Sequence, residues 1–176
     1  MKRKIEASLI DWKIKKNRMP LILKGARQVG KTYILKEFGK RYFKNSVYIN
    51  LETNSTVNSY FQTDITPQRI LKYLETVVNE RIIPGETLII LDEIQTCERA
   101  LNSLKQFCEE LPQYHIVASG SLLGVAINRE QFSFPVGKVD SMVLFPLDFE
   151  EFLWAIGKEL LSKEISIHFK SDEKMP

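Results

Sequence analysis

The sequence has few of the side chains that usually hold zinc or form disulfide frameworks. Its 176 residues include two cysteines and two histidines, at Cys97, Cys108, His115 and His168. Both cysteines fall on one predicted helical stretch, and their spacing matches neither a zinc-site nor a disulfide pattern. We therefore expect no zinc site. Free thiols fit a reducing compartment, so we expect the protein to be cytoplasmic.

Long apolar runs and a strong charge imbalance are also missing. A membrane-spanning helix needs roughly 20 apolar residues, and no stretch of this sequence is that long. The basic start, residues 1–4, is not followed by the apolar segment of a signal peptide. A net charge of +3 does not by itself indicate a nucleic-acid-binding surface. With 44% hydrophobic residues, no repeats and no low-complexity segment, the chain suits one globular domain.

What the sequence does contain is a phosphate-binding loop motif. Residues 20–32 read PLILKGARQVGKT, which is an apolar run followed by Gly-x-x-x-x-Gly-Lys-Thr and then by a helical pattern. Glycine reaches positive φ at no steric cost, so Gly25 and Gly30 would let the chain curl around a phosphate group. The N–H groups at the start of the next helix would face that phosphate. The predicted nucleotide-binding residues are Gly25, Ala26, Arg27, Gln28, Val29, Gly30, Lys31, Thr32 and Tyr33.

A second motif supplies acidic residues for the same site. Lys31 is predicted to reach the β- and γ-phosphates, and the hydroxyl of Thr32 is predicted to bind Mg²⁺. Residues 87–91 form an apolar run typical of a buried parallel strand, and Asp92 and Glu93 follow it. A carboxylate at the end of a buried strand needs a partner, so Asp92 is predicted to bind the same Mg²⁺. Glu93 is predicted to be the general base that activates water, or alternatively a salt-bridged surface carboxylate.

Further candidates are less specific. Ser119 and Ser121 end the next predicted strand, and we expect Ser119 to hold the attacking water or contact the γ-phosphate. The alternative is that both serines satisfy backbone groups in a turn. Three side chains are candidates for stabilising negative charge on the γ-phosphate: Arg27, Arg129 and Lys138. For each of them, the alternative of a solvated surface charge is favoured. The last two would act on the nucleotide of a neighbouring subunit. Gln95 could relay the nucleotide state to the helix that follows.

Strand and helix patterns alternate along the chain, which predicts an α/β fold with a mainly parallel sheet. Strands are predicted at residues 21–23, 45–51, 87–91, 115–118 and 142–145, with residues 52–64 as a loop that is helical in part and 128–140 irregular. A basic amphipathic helix at 4–17 is expected to pack across the core near the nucleotide base; the alternative is a membrane surface.

Other helices are predicted from capping and apolar spacing. Thr66 is expected to cap a helix that begins with Pro67 and buries Ile70, Leu74, Val77 and Val78. In the last helix, Asp148 and Glu151 are expected to form a capping box. Leu147 and Phe152 would form its hydrophobic staple, and its apolar stripe would contain Phe149, Leu153, Ile156 and Leu160. From residue 163 to 176 a loose tail is predicted.

Six segments together resemble a known family. They are residues 20–32, 48–52 (YINLE), 91–95 (LDEIQ), 118–124 (ASGSLLG), 133–139 (SFPVGKV) and 145–153 (FPLDFEEFL). Over residues 18–160 the chain resembles a group of prokaryotic AAA-type ATPases that carry a C-terminal domain of unknown function. The resemblance implies a three-layer α/β/α P-loop NTPase fold of the additional-strand type, with strand order 5-1-4-3-2. It also implies binding of ATP and Mg²⁺, with Lys31, Thr32, Asp92 and Glu93 in the roles predicted above.

The chain departs from this family in two respects. It stops where the C-terminal region would begin, so we expect an N-terminal helix at 1–17, an ATPase domain at 18–162 and no effector domain. Lys138 stands where family members often have arginine, and lysine cannot make the planar two-pronged contact of an arginine finger. This argues against such a role for Lys138.

Four functions fit these observations to different degrees. The leading hypothesis is an ATP-driven switch or motor that hydrolyses ATP and moves the missing effector region. A regulatory nucleotide-binding module with little turnover is the second. A small-molecule kinase fits less well, because the adjacent Asp-Glu pair favours water activation. A DNA-associated ATPase finds little support in the weak net charge, and a homo-oligomer stays open.

Overall fold

The computed structural model describes residues 1–121 and 137–171. Within these ranges the chain forms seven α-helices, five β-strands and one 3₁₀ turn. The helices are α1 (Ile5–Ile14), α2 (Lys31–Tyr42), α3 (Ser55–Thr63), α4 (Pro67–Val78), α5 (Glu98–Glu110), α6 (Phe149–Ala155) and α7 (Glu159–Ser171). The strands are β1 (Leu21–Lys24), β2 (Asn45–Asn50), β3 (Thr87–Asp92), β4 (His115–Gly120) and β5 (Asp140–Val143), and the 3₁₀ turn is Ile94–Thr96.

The five strands form one parallel sheet with the order β2-β3-β4-β1-β5. Read from the other edge, this is the predicted order 5-1-4-3-2, so the predicted fold class is confirmed. Strand β1 lies between β4 and β5, with Leu23 opposite both Ser119 and Met142. Because all five strands run in the same direction, the residues that follow them lie at one edge of the sheet.

Helices cover both faces of the sheet. On one face, Leu9 and Trp12 of α1 and Phe38 of α2 pack against Leu21 and Leu23 of β1. The other face is covered by α3, α4 and α5. Leu9 and Trp12 are 0% and 3% exposed, so these two side chains of α1 are part of the core. Burying side chains of this size contributes about 1.5–3 kcal/mol each. Across residues 1–121 and 137–171, the structure contains no helix with the length and apolarity that crossing a bilayer requires.

The region between β2 and β3 agrees with the prediction in one respect and differs in others. The loop that was predicted to be helical in part contains helix α3, and Asn54 caps this helix by accepting a hydrogen bond from the Val57 N–H at 3.0 Å. Thr66 does not cap α4 with its side chain. Instead, its N–H donates to Asp64 Oδ1 at 2.8 Å. Val77, predicted to be buried, is 40% exposed, because the apolar face of α4 is narrower than the spacing suggests.

The C-terminal part contains both a confirmed and a wrong prediction. The capping box is present, since Asp148 Oδ1 accepts from the Glu151 N–H at 2.8 Å and Glu151 Oε2 accepts from the Asp148 N–H at 3.3 Å. The predicted long helix, however, is divided into α6 and α7 at Gly157. This residue has a φ of +75°, and a right-handed helix cannot continue through a residue with that φ. Helix α7 occupies much of the predicted tail.

Side-chain burial in this region also differs from the prediction. Of the predicted apolar stripe, Leu153 is buried. The other stripe residues and the staple pair are exposed: Phe149, Ile156, Leu160, Leu147 and Phe152. Strand β5 also begins two residues earlier than predicted. The predicted irregular segment lies largely outside the described residues, which resume at Gly137.

Candidate nucleotide-binding site

The glycine loop between β1 and α2 has the curled backbone that the motif predicts. Gly25, Gln28 and Gly30 all have positive φ, at 155°, 64° and 94°. Gly25 also lies against the end of β5, where a Cβ atom at its position would be 2.4 Å from the Leu144 carbonyl oxygen. Helix α2 begins at Lys31 directly after the loop. Its first-turn N–H groups and the positive end of its dipole therefore face the space that the loop encloses.

The side chain of Lys31 folds back onto this loop. Its Nζ donates to the carbonyl oxygens of Gly25 and Ala26 at 2.9 and 2.8 Å, and the residue is 7% exposed. Burial lowers the pKa of Lys31, while the nearby charges of Glu93 and Asp92 raise it. An ammonium held by two neutral carbonyls in a ring of backbone N–H groups fits a phosphate anion, which would supply the missing negative charge.

Asp92 is the centre of a dense hydrogen-bonded cluster. It is 2% exposed. Its Oδ2 accepts from Thr32 Oγ1 at 2.6 Å and from the Tyr48 hydroxyl at 3.0 Å. Its Oδ1 accepts from Ser119 Oγ at 2.6 Å and from the Glu93 N–H at 3.1 Å. The two predicted Mg²⁺ ligands, Thr32 and Asp92, are thus in direct contact, and a hydroxyl beside a carboxylate suits that hard cation.

Glu93 lies directly beside this cluster on a strained backbone. Its φ and ψ are 54° and 44°, a left-handed conformation that is uncommon for a glutamate. Its carbonyl oxygen accepts from the N–H and the hydroxyl of Thr96 at 3.0 and 2.8 Å. Its carboxylate accepts a short hydrogen bond from the side-chain amide of Gln95. The charge of this carboxylate raises the pKa of Lys31, and the Glu93 N–H donates to Asp92 Oδ1, so Glu93 lies next to the Asp92 cluster.

The remaining sequence candidates are placed differently. Ser119 is fully buried and bonded to Asp92, while Ser121 follows the end of β4. Arg27 is exposed in the glycine loop. Lys138 forms an ion pair with Glu109 of α5 at 3.0 Å, and this contact raises the pKa of Lys138. Arg129 lies outside the described residues.

Sequence reasoning missed Tyr48 as a partner of Asp92. Its pKa is raised to about 12 by burial and then by the charge of Asp92 and the hydrogen bond to it. The ammonium of Lys36 lies 3.7 Å from the centre of its ring. The sequence did contain a signal for this contact. Side chains alternate between the two faces of a strand, so Tyr48 shares a face with Asn50, two residues later. Asn50 pairs with Asp92.

Sequence reasoning also missed Arg3, which is 4% exposed. Its Nη1 donates to the Val29 carbonyl in the glycine loop at 3.1 Å, and its Nη2 donates to the Phe145 carbonyl at 2.6 Å. Its Nε lies 3.1 Å from Glu151 Oε1, an ion-pair distance at which the N–H is not aligned for a hydrogen bond. The basic residues 1–4 gave no sequence signal that set Arg3 apart.

A cavity of about 580 Å³ opens beside the loop. The N-terminal ammonium of Met1 donates to the Tyr33 hydroxyl at 2.9 Å at its border. The residues that line the cavity include Met1, Arg27, Gln28, Tyr33, Pro146 and Leu147. The start of the chain therefore lies next to the glycine loop, at the first turn of α2.

A family comparison agrees with this geometry. The family model described as AAA domain matches residues 17–153, which is most of the chain. The chain belongs to the AAA domain family. Together with the loop and the Asp92 cluster, this identifies a nucleotide-binding domain of the ATPase type. A search of curated proteins found no match.

Solved structures show the same fold. The AAA domain is similar to Drosophila ORC bound to DNA, with a TM-score of 0.54 and 12% identity over 96% of this chain and 49% of that one. It is also similar to AMPPCP-bound DnaA from Aquifex aeolicus, with a TM-score of 0.51 and 14% identity over 89% of this chain and 48% of that one. The AAA domain spans about half the length of these two structures.

Proposed function

We propose that this AAA domain binds ATP with Mg²⁺ and hydrolyses it. The observation that carries the proposal is the loop lysine, Lys31, enclosed by backbone groups beside the Thr32–Asp92 contact. The loop N–H groups and Lys31 would hold the phosphates, and Thr32 and Asp92 would hold the metal ion. Mg²⁺ supplies positive charge that stabilises the developing negative charge on the phosphates. The similarity to a DnaA structure with bound AMPPCP supports the same choice of ligand.

In this proposal Glu93 accepts a proton from the water that attacks the γ-phosphorus in line with the leaving oxygen. The two oxygens of the neighbouring Asp92 accept four hydrogen bonds, which hold this carboxylate in place. Tyr48 and Ser119 act by fixing the direction of that carboxylate. Contact of Ser119 with the attacking water or the γ-phosphate stays a prediction.

A second candidate is a regulatory module that binds ATP but scarcely hydrolyses it. One observation favours it: the carboxylate of Glu93 is already occupied by the Gln95 amide. The amide competes with an attacking water molecule for this carboxylate, which would slow turnover. The two candidates share the binding site and differ in the fate of the γ-phosphate.

The wider role that we propose is a cytoplasmic switch or motor that transmits ATP turnover to an effector region. The resemblance to AAA-type ATPases with a further C-terminal domain supports this role. In a homo-oligomer, Arg129 or Lys138 would be the candidates for contacting a neighbour's nucleotide, and Arg27 would be the candidate in the chain's own glycine loop. For Lys138, such a contact would require release from Glu109.

The test compares ATP binding and phosphate release for the wild type, Lys31→Ala and Glu93→Gln. Lys31→Ala should weaken ATP binding roughly 10- to 150-fold, the loss expected for hydrogen bonds to a charged group. Glu93→Gln should bind ATP normally and lose turnover by about 10²- to 10⁴-fold. Lys44→Ala, which removes an exposed ion pair with Glu86, should change neither measurement.

Each contrary outcome has a distinct meaning. Unchanged ATP affinity in Lys31→Ala would overturn the assignment of the site. A wild type that binds ATP without releasing phosphate would favour the regulatory module. Turnover that survives in Glu93→Gln would show that another group activates the water.

A further inference from the structure

We infer that Arg3 is a positioning residue of the glycine loop and that its ion pair with Glu151 couples nucleotide binding to helix α6. This inference rests on the proposed nucleotide site and concerns residues outside the phosphate-binding motif. Arg3 contacts three separate parts of the chain with one guanidinium group: the glycine loop, the segment after β5, and α6. The side chain of Arg3 therefore connects these three parts.

The contact with the loop fixes a peptide plane. Arg3 Nη1 donates to the carbonyl of Val29, and that carbonyl shares a rigid plane with the N–H of Gly30. The two groups point in opposite directions, so a carbonyl held by Arg3 directs the Gly30 N–H away from the guanidinium. Gly30 has φ of +94°, and glycine at this φ has little intrinsic preference that would set the plane without Arg3.

The contact with α6 involves a carboxylate that is itself fixed. Glu151 is 5% exposed. Its Oε1 accepts from the Lys4 N–H at 2.7 Å, and its Oε2 accepts from the Asp148 N–H at 3.3 Å. Glu151 therefore closes the first turn of α6 and pairs with Arg3 at the same time. A shift of the guanidinium changes the environment of this capping residue directly.

The segment after β5 completes the connection. Arg3 Nη2 donates to the Phe145 carbonyl, and Leu144, one residue earlier, packs its carbonyl against Gly25. The Leu144 N–H donates to the Lys24 carbonyl at 2.8 Å. Both ends of the glycine loop thus touch the segment that leads into α6, one end directly and the other through Arg3. Interiors packed this closely change between discrete arrangements and do not deform gradually.

Arginine is required for this role. Its planar guanidinium presents donors in several fixed directions, whereas lysine has one compact ammonium at the end of a flexible stem. Arg3→Lys keeps the charge and the hydrophobic stem but cannot reach Val29, Phe145 and Glu151 together. Glu151→Gln removes the ion pair and keeps a residue that completes a capping box. Both variants therefore test the coupling without deleting the side chain.

The experiment measures hydrogen exchange with and without AMPPCP and Mg²⁺. A separate titration measures the affinity for AMPPCP in the presence of Mg²⁺. In the wild type, AMPPCP should slow exchange at residues 28–34 and at residues 148–155. In Arg3→Lys and Glu151→Gln, the slowing at 28–34 should persist, while the nucleotide-dependent slowing at 148–155 should fall at least about fivefold. Coupling is reciprocal, so AMPPCP affinity should fall by a similar factor. Arg41→Lys, at an exposed ion pair with Glu6 and Glu37, should match the wild type.

Three results would overturn the inference. If Arg3 is merely structural, its variants will exchange faster at 148–155 to the same degree with and without AMPPCP, and affinity will not change. If AMPPCP slows exchange in the wild type only at residues 28–34, the coupling to α6 is rejected and the proposed nucleotide site is retained. If AMPPCP protects neither segment of the wild type, the proposed site fails and the coupling fails with it. Should Arg3→Lys not fold, Glu151→Gln decides by the same criteria.

Discussion

At the scale of single residues, the tightest constraint in the site is at Gly25. A Cβ atom there would lie 2.4 Å from the Leu144 carbonyl oxygen, and φ is +155°. We expect Gly25→Ala to lower the free energy of unfolding by about 3 kcal/mol or more, because both backbone segments would have to move. It should also abolish ATP binding. Urea unfolding and ATP titration measure the two effects.

Gly85→Ala is the matched control for that substitution. Gly85 also has a positive φ, at +76°, but among the described residues nothing beyond its chain neighbours lies within 4 Å of the position of its Cβ. Its alanine variant should lose about 1–2 kcal/mol, the cost of the left-handed conformation. Equal losses in the two variants would show that the contact with Leu144 is unimportant.

Tyr48 gives a second prediction at this scale. Tyr48→Phe removes the hydrogen bond to Asp92 Oδ2 and keeps the ring beneath Lys36. A hydrogen bond to a charged group contributes about 1.5–3 kcal/mol. We therefore expect ATP binding to require roughly 10- to 150-fold more Mg²⁺, measured by titrating Mg²⁺ at fixed ATP.

The control for Tyr48 removes a comparable hydrogen bond elsewhere. Tyr42 donates its hydroxyl to Glu6 at 3.0 Å, away from the Asp92 cluster. Tyr42→Phe should leave the Mg²⁺ requirement unchanged. A requirement that moves equally in both variants would exclude a specific effect on the carboxylate.

The sequence predicted some site residues and not others for a physical reason. Lys31, Thr32 and Asp92 belong to motifs whose spacing is local, and the structure brings them together. Tyr48 reaches Asp92, and Arg3 reaches Phe145, across 44 and 142 residues. Such contacts depend on strand order and on the path of the chain. The alternation of β2 indicates Tyr48 only once β2 is known to pair with β3, and no local pattern indicates Arg3.

At the scale of elements, strands were easier to predict than helix ends. Buried parallel strands read as apolar runs, so residues 87–91 alone located β3. The break between α6 and α7 was missed because the apolar spacing continues across Gly157, while the backbone turns there. Helix α3 was left uncertain because its sequence is polar and its cap, Asn54, is also a common turn residue.

The capping box of α6 gives a prediction at the element scale. Asp148→Ala removes the acceptor of the Glu151 N–H and should lower the free energy of unfolding by about 1 kcal/mol. Glu150→Gln weakens the exposed ion pair with Lys4 but leaves the cap intact, so its effect should be much smaller. Urea unfolding of both variants checks this, and equal effects would assign the loss to Lys4.

At the scale of the whole molecule, His115 should make stability depend on pH. It is 5% exposed, and its Nε2 is 3.3 Å from the Lys13 carbonyl oxygen. Burial, and then the charge of Arg18, lower its pKa from 6.5 to about 4. Between pH 6.5 and 4 the unfolded chain binds a proton that the folded chain does not. The stabilisation is therefore complete above pH 6.5 and is lost as the pH falls towards 4.

His115→Phe tests this assignment and keeps a ring against Trp12 and Phe43. For the wild type, one such group contributes at most about 1.4 kcal/mol per pH unit within that window. The variant should show a flatter dependence of its urea midpoint between pH 6.5 and 4. Parallel curves for the two proteins would contradict the role of His115.

The position of β1 in the sheet also has a consequence during protein synthesis. Leu21 pairs with Val117 on one side and with Asp140 on the other. At 5–20 residues per second, the ribosome needs roughly 6–24 s to add the second of these partners after Leu21 has been made. A nascent chain that stops before β5 carries the whole glycine motif without the strand that encloses Gly25. At the proposed nucleotide site, ATP would therefore assist folding only after β5 has been translated.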